Sequence, residues 1–93
     1  MKTYQSFKDF KGVPALVRWF DNLSGEGMVR LEDGSCVYVH YSAFEGSHGK
    51  VWITLPGNGN NIPCEVEVLD DVTFKQVARI RCKQAIVVPR GNA

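Results

Sequence analysis

The sequence predicts an all-β protein, a small five-stranded antiparallel β-barrel in a single domain. Three observations carry that expectation: most of the chain reads as short segments of alternating apolar and polar residues, an Asp33-Gly34 dipeptide sits between two of them, and no stretch has the period of an amphipathic helix. Five short strands in 93 residues favour closure, because an open sheet of that size leaves unpaired edges.

The first strand is V-P-A-L-V-R-W-F, residues 13 to 20, with Pro14 tolerable near a strand start and Asp21-Asn22-Leu23-Ser24-Gly25 supplying turn residues after it. G-M-V-R-L (27 to 31) and C-V-Y-V-H (36 to 40) form a hairpin around Asp33-Gly34. Val29, Leu31, Val37 and Val39 are then expected inside, with Glu26, Met28, Arg30, Tyr38 and His40 outside. Tyr41 to Phe44 fits one short helical turn, and Phe44 is expected in the core. V-W-I-T-L (51 to 55) reads as a further short extended piece, and P-G-N-G-N-N-I-P as a flexible, turn-rich loop. C-E-V-E-V-L (64 to 69) and F-K-Q-V-A-R-I-R-C-K (74 to 83) complete the set around an Asp70-Asp71 turn. Residues 1 to 11 form an N-terminal extension, 12 to 88 the domain, and 89 to 93 a frayed tail.

Alternation in the last strand places Lys75, Val77, Arg79, Arg81 and Lys83 on one face. Glu65 and Glu67 alternate on the strand before it, so a solvated, charge-paired face is preferred to a nucleic-acid-binding stripe. A net charge of +1 predicts no partner by itself. No apolar run is long enough to span a bilayer, and the N-terminus lacks the apolar core of a signal peptide. Cys36, Cys64 and Cys82 are odd in number and include no C-x-x-C pair, which points to a reducing, cytoplasmic setting.

Catalytic and metal chemistry find little support. Neither a phosphate-binding loop, nor G-x-S-x-G, nor H-E-x-x-H is present, and Gly57-Asn58-Gly59-Asn60 lacks the lysine and helix of a phosphate cradle. Cys36 and His40 share a strand face but lie about 13 Å apart at ~3.3 Å per residue, too far to hold one ion. The protein is expected to be no enzyme and to use no metal or cofactor.

What stands out is V-Y-V-H-Y, residues 37 to 41, which turns a tyrosine and a histidine away from the core beside a second tyrosine. Together with R-W-F-D-N-x-x-G-x-G, from Arg18 to Gly27, the run V-Y-V-H-Y-S-A-F resembles the cold-shock domain family. The likeness covers residues 12 to 46 well and the remainder only as a strand pattern. Periodicity alone leaves an SH3-like barrel open; the resemblance implies an OB-type barrel that binds single-stranded RNA or DNA by stacking unpaired bases on exposed rings. Carried over by position, it assigns contacts to Arg18, Trp19, Phe20, Tyr38, His40 and Tyr41. Strict alternation would send Phe20 inward beside an outward Trp19, so its place on the face requires a bulge.

The sequence departs from the family where K-G-F-G-F is usual and S-G-E-G-M stands here: Gly25 and Gly27 remain, while Glu26 and Met28 replace the two aromatics and Ser24 the lysine. At ~1–3 kcal/mol per stacked base, two lost platforms weaken binding by about 2–6 kcal/mol. Met28 still offers a polarizable surface, and Arg30, Trp52 and the extension residues Tyr4, Phe7, Lys8, Phe10 and Lys11 are candidate compensations. The extension either runs along the binding face or caps the barrel. The expected function is single-stranded nucleic-acid binding of low sequence specificity, for which the resemblance implies a role as an RNA chaperone or transcription regulator. The rival is a protein-interaction module or homodimer that uses the same face, with nucleic-acid binding weakened or lost.

Overall fold

The described residues form seven strands: β1 (Val13–Asp21), β2 (Glu26–Leu31), β3 (Cys36–His40), β4 (Val51–Thr54), β5 (Ile62–Asp70), β6 (Lys75–Arg81) and β7 (Ile86–Pro89). The computed structural model describes residues 6–47, 51–70 and 75–89. Tyr4, Phe74, Asp71 and residues 90–93 of the expected tail lie outside them.

Five of the strands close into a barrel in the order β1-β2-β3-β6-β5. This is the OB-type arrangement, antiparallel throughout except where β3 meets β6 in parallel at Tyr38 and Gln76. The hairpin of β2 and β3 turns at Asp33-Gly34, where Gly34 takes φ +92° and the Asp33 carboxylate accepts from the Ser35 amide and hydroxyl. No helix among the described residues is long and apolar enough to cross a membrane.

The core is aliphatic with two phenylalanines. Val17, Val29, Val37, Val39 and Val66 are sealed inside, with Phe20 meeting Phe44 edge to face at 5.5 Å between ring centroids. Leu31, expected inside, is only half-buried at its rim.

Two bulges change the simple alternation. In β1 the register shifts between Val17 and Trp19, making Arg18 the extra residue; Arg18 and Trp19 both face out, and Phe20 turns in. In β6 the shift opposite Glu67 and Val68 makes Ala78 the extra residue. Val77 and Ile80 are therefore both buried, and Val77 leaves the basic face on which strict alternation placed it.

The short extended piece at 51–54 is β4, and its partner is β7, a strand the sequence pattern did not isolate. The two form a separate sheet, and Pro89, assigned to the tail, pairs with Val51. The glycine-rich loop packs against β1 rather than protruding. Gly57, Asn58, Gly59 and Asn61 hold left-handed backbone angles, and buried Gly59 packs so closely that a Cβ would lie 2.8 Å from that of Phe20. β5 accordingly begins at Ile62, two residues earlier than its alternation indicates.

Candidate nucleic-acid interface

Strand register brings the outward side chains of β1, β2 and β3 into rows. Trp19 opposes Met28, which opposes Tyr38; Asp21 opposes Glu26, which opposes His40; Leu16 opposes Arg30, which opposes Cys36. Neighbouring strands lie about 4.8 Å apart, so each row is a compact strip of side chains. The middle strip joins an indole, a thioether and a phenol. Trp19 is 49% exposed, whereas Met28, Tyr38 and His40 are half-buried, as rings lying against a sheet should be.

The strip continues off the end of β3. A 3₁₀ turn at Tyr41–Ala43 follows His40, whose Nδ1 accepts the Ser42 amide at 3.3 Å and lies 2.8 Å from the Ser42 hydroxyl. Because Nδ1 accepts, the neutral ring carries its proton on Nε2. The His40 and Tyr41 rings are 4.7 Å apart, and Tyr41 meets Trp52 of β4 at 4.3 Å. Trp52 is fixed by its Nε1–H, which donates to the Asn22 carbonyl at 2.8 Å, while the Asn22 side chain bonds Leu55 in both directions. Trp52 thus joins the aromatic run from β4, the extended piece read from the sequence, whose partner β7 no local signal announced.

Several residues of the two motifs act as scaffold. Asp21 caps the turn after β1 by accepting the Leu23 and Ser24 amides, which hold its carboxyl below the usual range. Gly25 takes φ +76° with Tyr41 and Trp52 packed over it. Gly27 is required by close approach, since a Cβ there would stand 2.2 Å from the Trp19 carbonyl oxygen.

Phe20 has to be corrected. It is 1% exposed in the core and offers nothing to a ligand on the outer face, because the β1 bulge that frees Trp19 also turns Phe20 inward. Leu16, 38% exposed beside Arg30, is the face residue not singled out from the sequence; plain alternation back from Val17 points to it.

Charge on the face is mixed. Arg18 and Arg30 are exposed and make no ion pair or hydrogen bond among the described residues. Glu26, also exposed, accepts the Tyr38 hydroxyl at 3.1 Å. Partial burial and the Glu26 carboxylate together push the Tyr38 phenol above its ordinary value.

The N-terminal segment lies elsewhere. Phe7 and Phe10 stack 5.0 Å apart beneath the guanidinium groups of Arg79 and Arg81, and the Lys11 amide donates to Glu67 at 2.7 Å. Arg79 pairs with Glu67 at 2.5 Å and donates to the Ser6 carbonyl; Arg81 pairs with Glu45 at 2.7 Å, where Glu65 had been expected. The described part of the extension therefore straps the outside of β5 and β6, over Arg79 and Arg81, each already paired with a glutamate.

These features define a class: a small OB-type barrel with one open face of rings and flanking arginines. Over 30 residues, 32% of its length, the chain is 47% identical to cold shock protein CspB of Bacillus caldolyticus and to that of Geobacillus stearothermophilus. Cold shock protein CspD of Bacillus subtilis matches to the same extent. The chain spans 46%, less than half, of the length of these curated relatives. No family model matches the chain.

Proposed function

We propose that the protein binds single-stranded RNA or DNA along the outer face of β1 to β3, as a cold-shock-like module without catalytic activity. The supporting observation is the Trp19, Met28, Tyr38 strip running beside His40, Tyr41 and Trp52, with Arg18 and Arg30 at its margin. Bases stack on Trp19, Tyr38 and His40; the arginines meet phosphates; Met28 fills the strip with a softer, weaker surface. No cofactor is needed, since stacking and ion pairing are complete in themselves. Holding strands unpaired in the cytoplasm suits an RNA chaperone or a regulator of transcription.

Three rings at ~1–3 kcal/mol each give roughly 3–9 kcal/mol, a range whose upper part corresponds to micromolar dissociation constants. Titrating intrinsic tryptophan fluorescence with an unstructured pyrimidine heptamer, as RNA and as DNA at two salt concentrations, tests this. Quenching with a micromolar constant and a salt slope near 0.7 for each phosphate contacted is the expected result. Absence of quenching up to hundreds of micromolar would reject it and leave a protein partner or a second copy as the occupant of the face.

A further inference from the structure

A carboxylate is an odd component of a surface meant for bases and phosphates. Glu26 is exposed, and only its Oε1 is engaged, by the Tyr38 hydroxyl at 3.1 Å; Oε2 has no hydrogen-bond partner among the described residues. An ionised carboxylate accepts and never donates, so whatever meets Glu26 must present N–H or O–H groups. Phosphate is excluded by charge and a ribose 2′-hydroxyl offers a single donor, whereas base edges, free in a single strand, can offer two side by side.

Base chemistry ranks those edges. Uracil and thymine present one ring N–H flanked by two carbonyl oxygens, which oppose a carboxylate. Cytosine and adenine present an amino group beside a ring-nitrogen acceptor, giving one favourable bond and one unfavourable neighbour. Guanine presents N1–H and the N2 amino group side by side, and two parallel donors match two carboxylate oxygens as a guanidinium does. The platform for such a base is His40. It lies directly opposite Glu26 in the β2–β3 register, where facing Cβ atoms are about 4.5–5.5 Å apart, and Ser42 fixes its ring.

We propose that Glu26, oriented by Tyr38 and backed by the His40 ring, forms a guanine subsite at one position along an otherwise sequence-tolerant strand. The inference rests on the single-strand reading above. It gives the departure from an aromatic at residue 26 a use: a stacking contact is exchanged for a hydrogen-bonding one that discriminates.

The test compares RNA heptamers of uridine carrying guanosine, inosine or uridine at the centre, titrated against the native protein and against Glu26→Ala and Glu26→Gln, each checked for an unchanged melting transition. The guanosine heptamer should bind about tenfold tighter than the all-uridine one, the scale of one good bidentate pair. Inosine, which lacks the amino group, should fall between them, and Glu26→Ala should bring all three together while Glu26→Gln narrows the gap. Equal binding of the three by the native protein would refute the subsite and leave single-strand binding standing. A guanosine advantage that inosine shares in full, or that survives Glu26→Ala, would also refute it, since it would come from purine stacking. Failure of every heptamer to bind would overturn both.

Discussion

The adjacent pair Trp19 and Phe20 offers a sharp test of how the β1 bulge divides labour between fold and face. Phe20 is 1% exposed and contacts Phe44 edge to face, whereas Trp19 is half exposed on the outer strip. Phe20→Leu keeps an apolar side chain but removes the ring contact, worth ~0.5–1.5 kcal/mol beyond its burial, and leaves some unfilled volume. The expected destabilisation is about 1–2 kcal/mol, which for a domain of this size lowers Tm by roughly 5–15 °C. Trp19→Ala should change stability by no more than ~0.5 kcal/mol, as surface substitutions do, yet weaken heptamer binding by ~1–3 kcal/mol, or about 5–150-fold. Thermal unfolding followed by circular dichroism and heptamer binding followed by fluorescence anisotropy read the two quantities separately. If Phe20→Leu weakened binding tenfold with Tm unchanged, or Trp19→Ala lowered Tm as far as Phe20→Leu, the bulge would be misplaced and the two rings would have exchanged roles.

Gly27→Ala should destabilise by about 3 kcal/mol or more, because the new methyl meets the Trp19 carbonyl at 2.2 Å and must part β1 from β2; urea unfolding measures it, and a change below ~1 kcal/mol would contradict the close approach. The N-terminal strap should loosen in acid. The Lys11 amide first, and Arg79 second, hold the Glu67 carboxyl below its ordinary value of 4.5, so the contact is complete above that pH and is lost as pH falls through the lower folded value. Hydrogen exchange at the Lys11 amide, corrected for its intrinsic pH dependence, should lose protection over that interval, and Glu67→Gln should lose much of it at neutral pH. Among the thiols, exposed Cys36 should react with iodoacetamide first at pH 8, while Cys64, buried and pushed up to about 12, should stay unmodified until the protein unfolds; mass spectrometry after partial alkylation checks the order.

Much of this molecule was legible because period-two patterning is a physical necessity where one face of a strand is buried. Val29, Val37 and Val39 inside with Met28, Tyr38 and His40 outside required only that rule and the Asp33-Gly34 turn. Val77 was misplaced because a bulge inserts a residue without leaving a compositional mark, and every side chain beyond it changes face; Phe20 was placed outside by the resemblance and a bulge assumed beside it, whereas the extra residue is Arg18 and Phe20 turns in next to an outward Trp19. β7, and with it the partner of the extended piece at 51–54, was hidden for a different reason. Four-residue strands far apart in sequence carry too little pattern, and pairing such as Trp52 with Val88 is decided by tertiary packing. The strap illustrates a third limit. Phe7, Phe10, Arg79 and Arg81 meet across about seventy residues, and nothing local in either segment distinguishes a capping contact from a ligand contact.

Chemical-shift mapping of the isotope-labelled protein against an unstructured RNA heptamer tests the central claim most directly, because it reports where the ligand sits. The account predicts that the Trp19 indole, the Tyr38 and His40 rings and the β1–β3 amides shift together and saturably, while Phe7, Phe10 and Arg79 of the strapped face remain still. Shifts centred on the strap and β5–β6, or none at all at millimolar RNA, would contradict it.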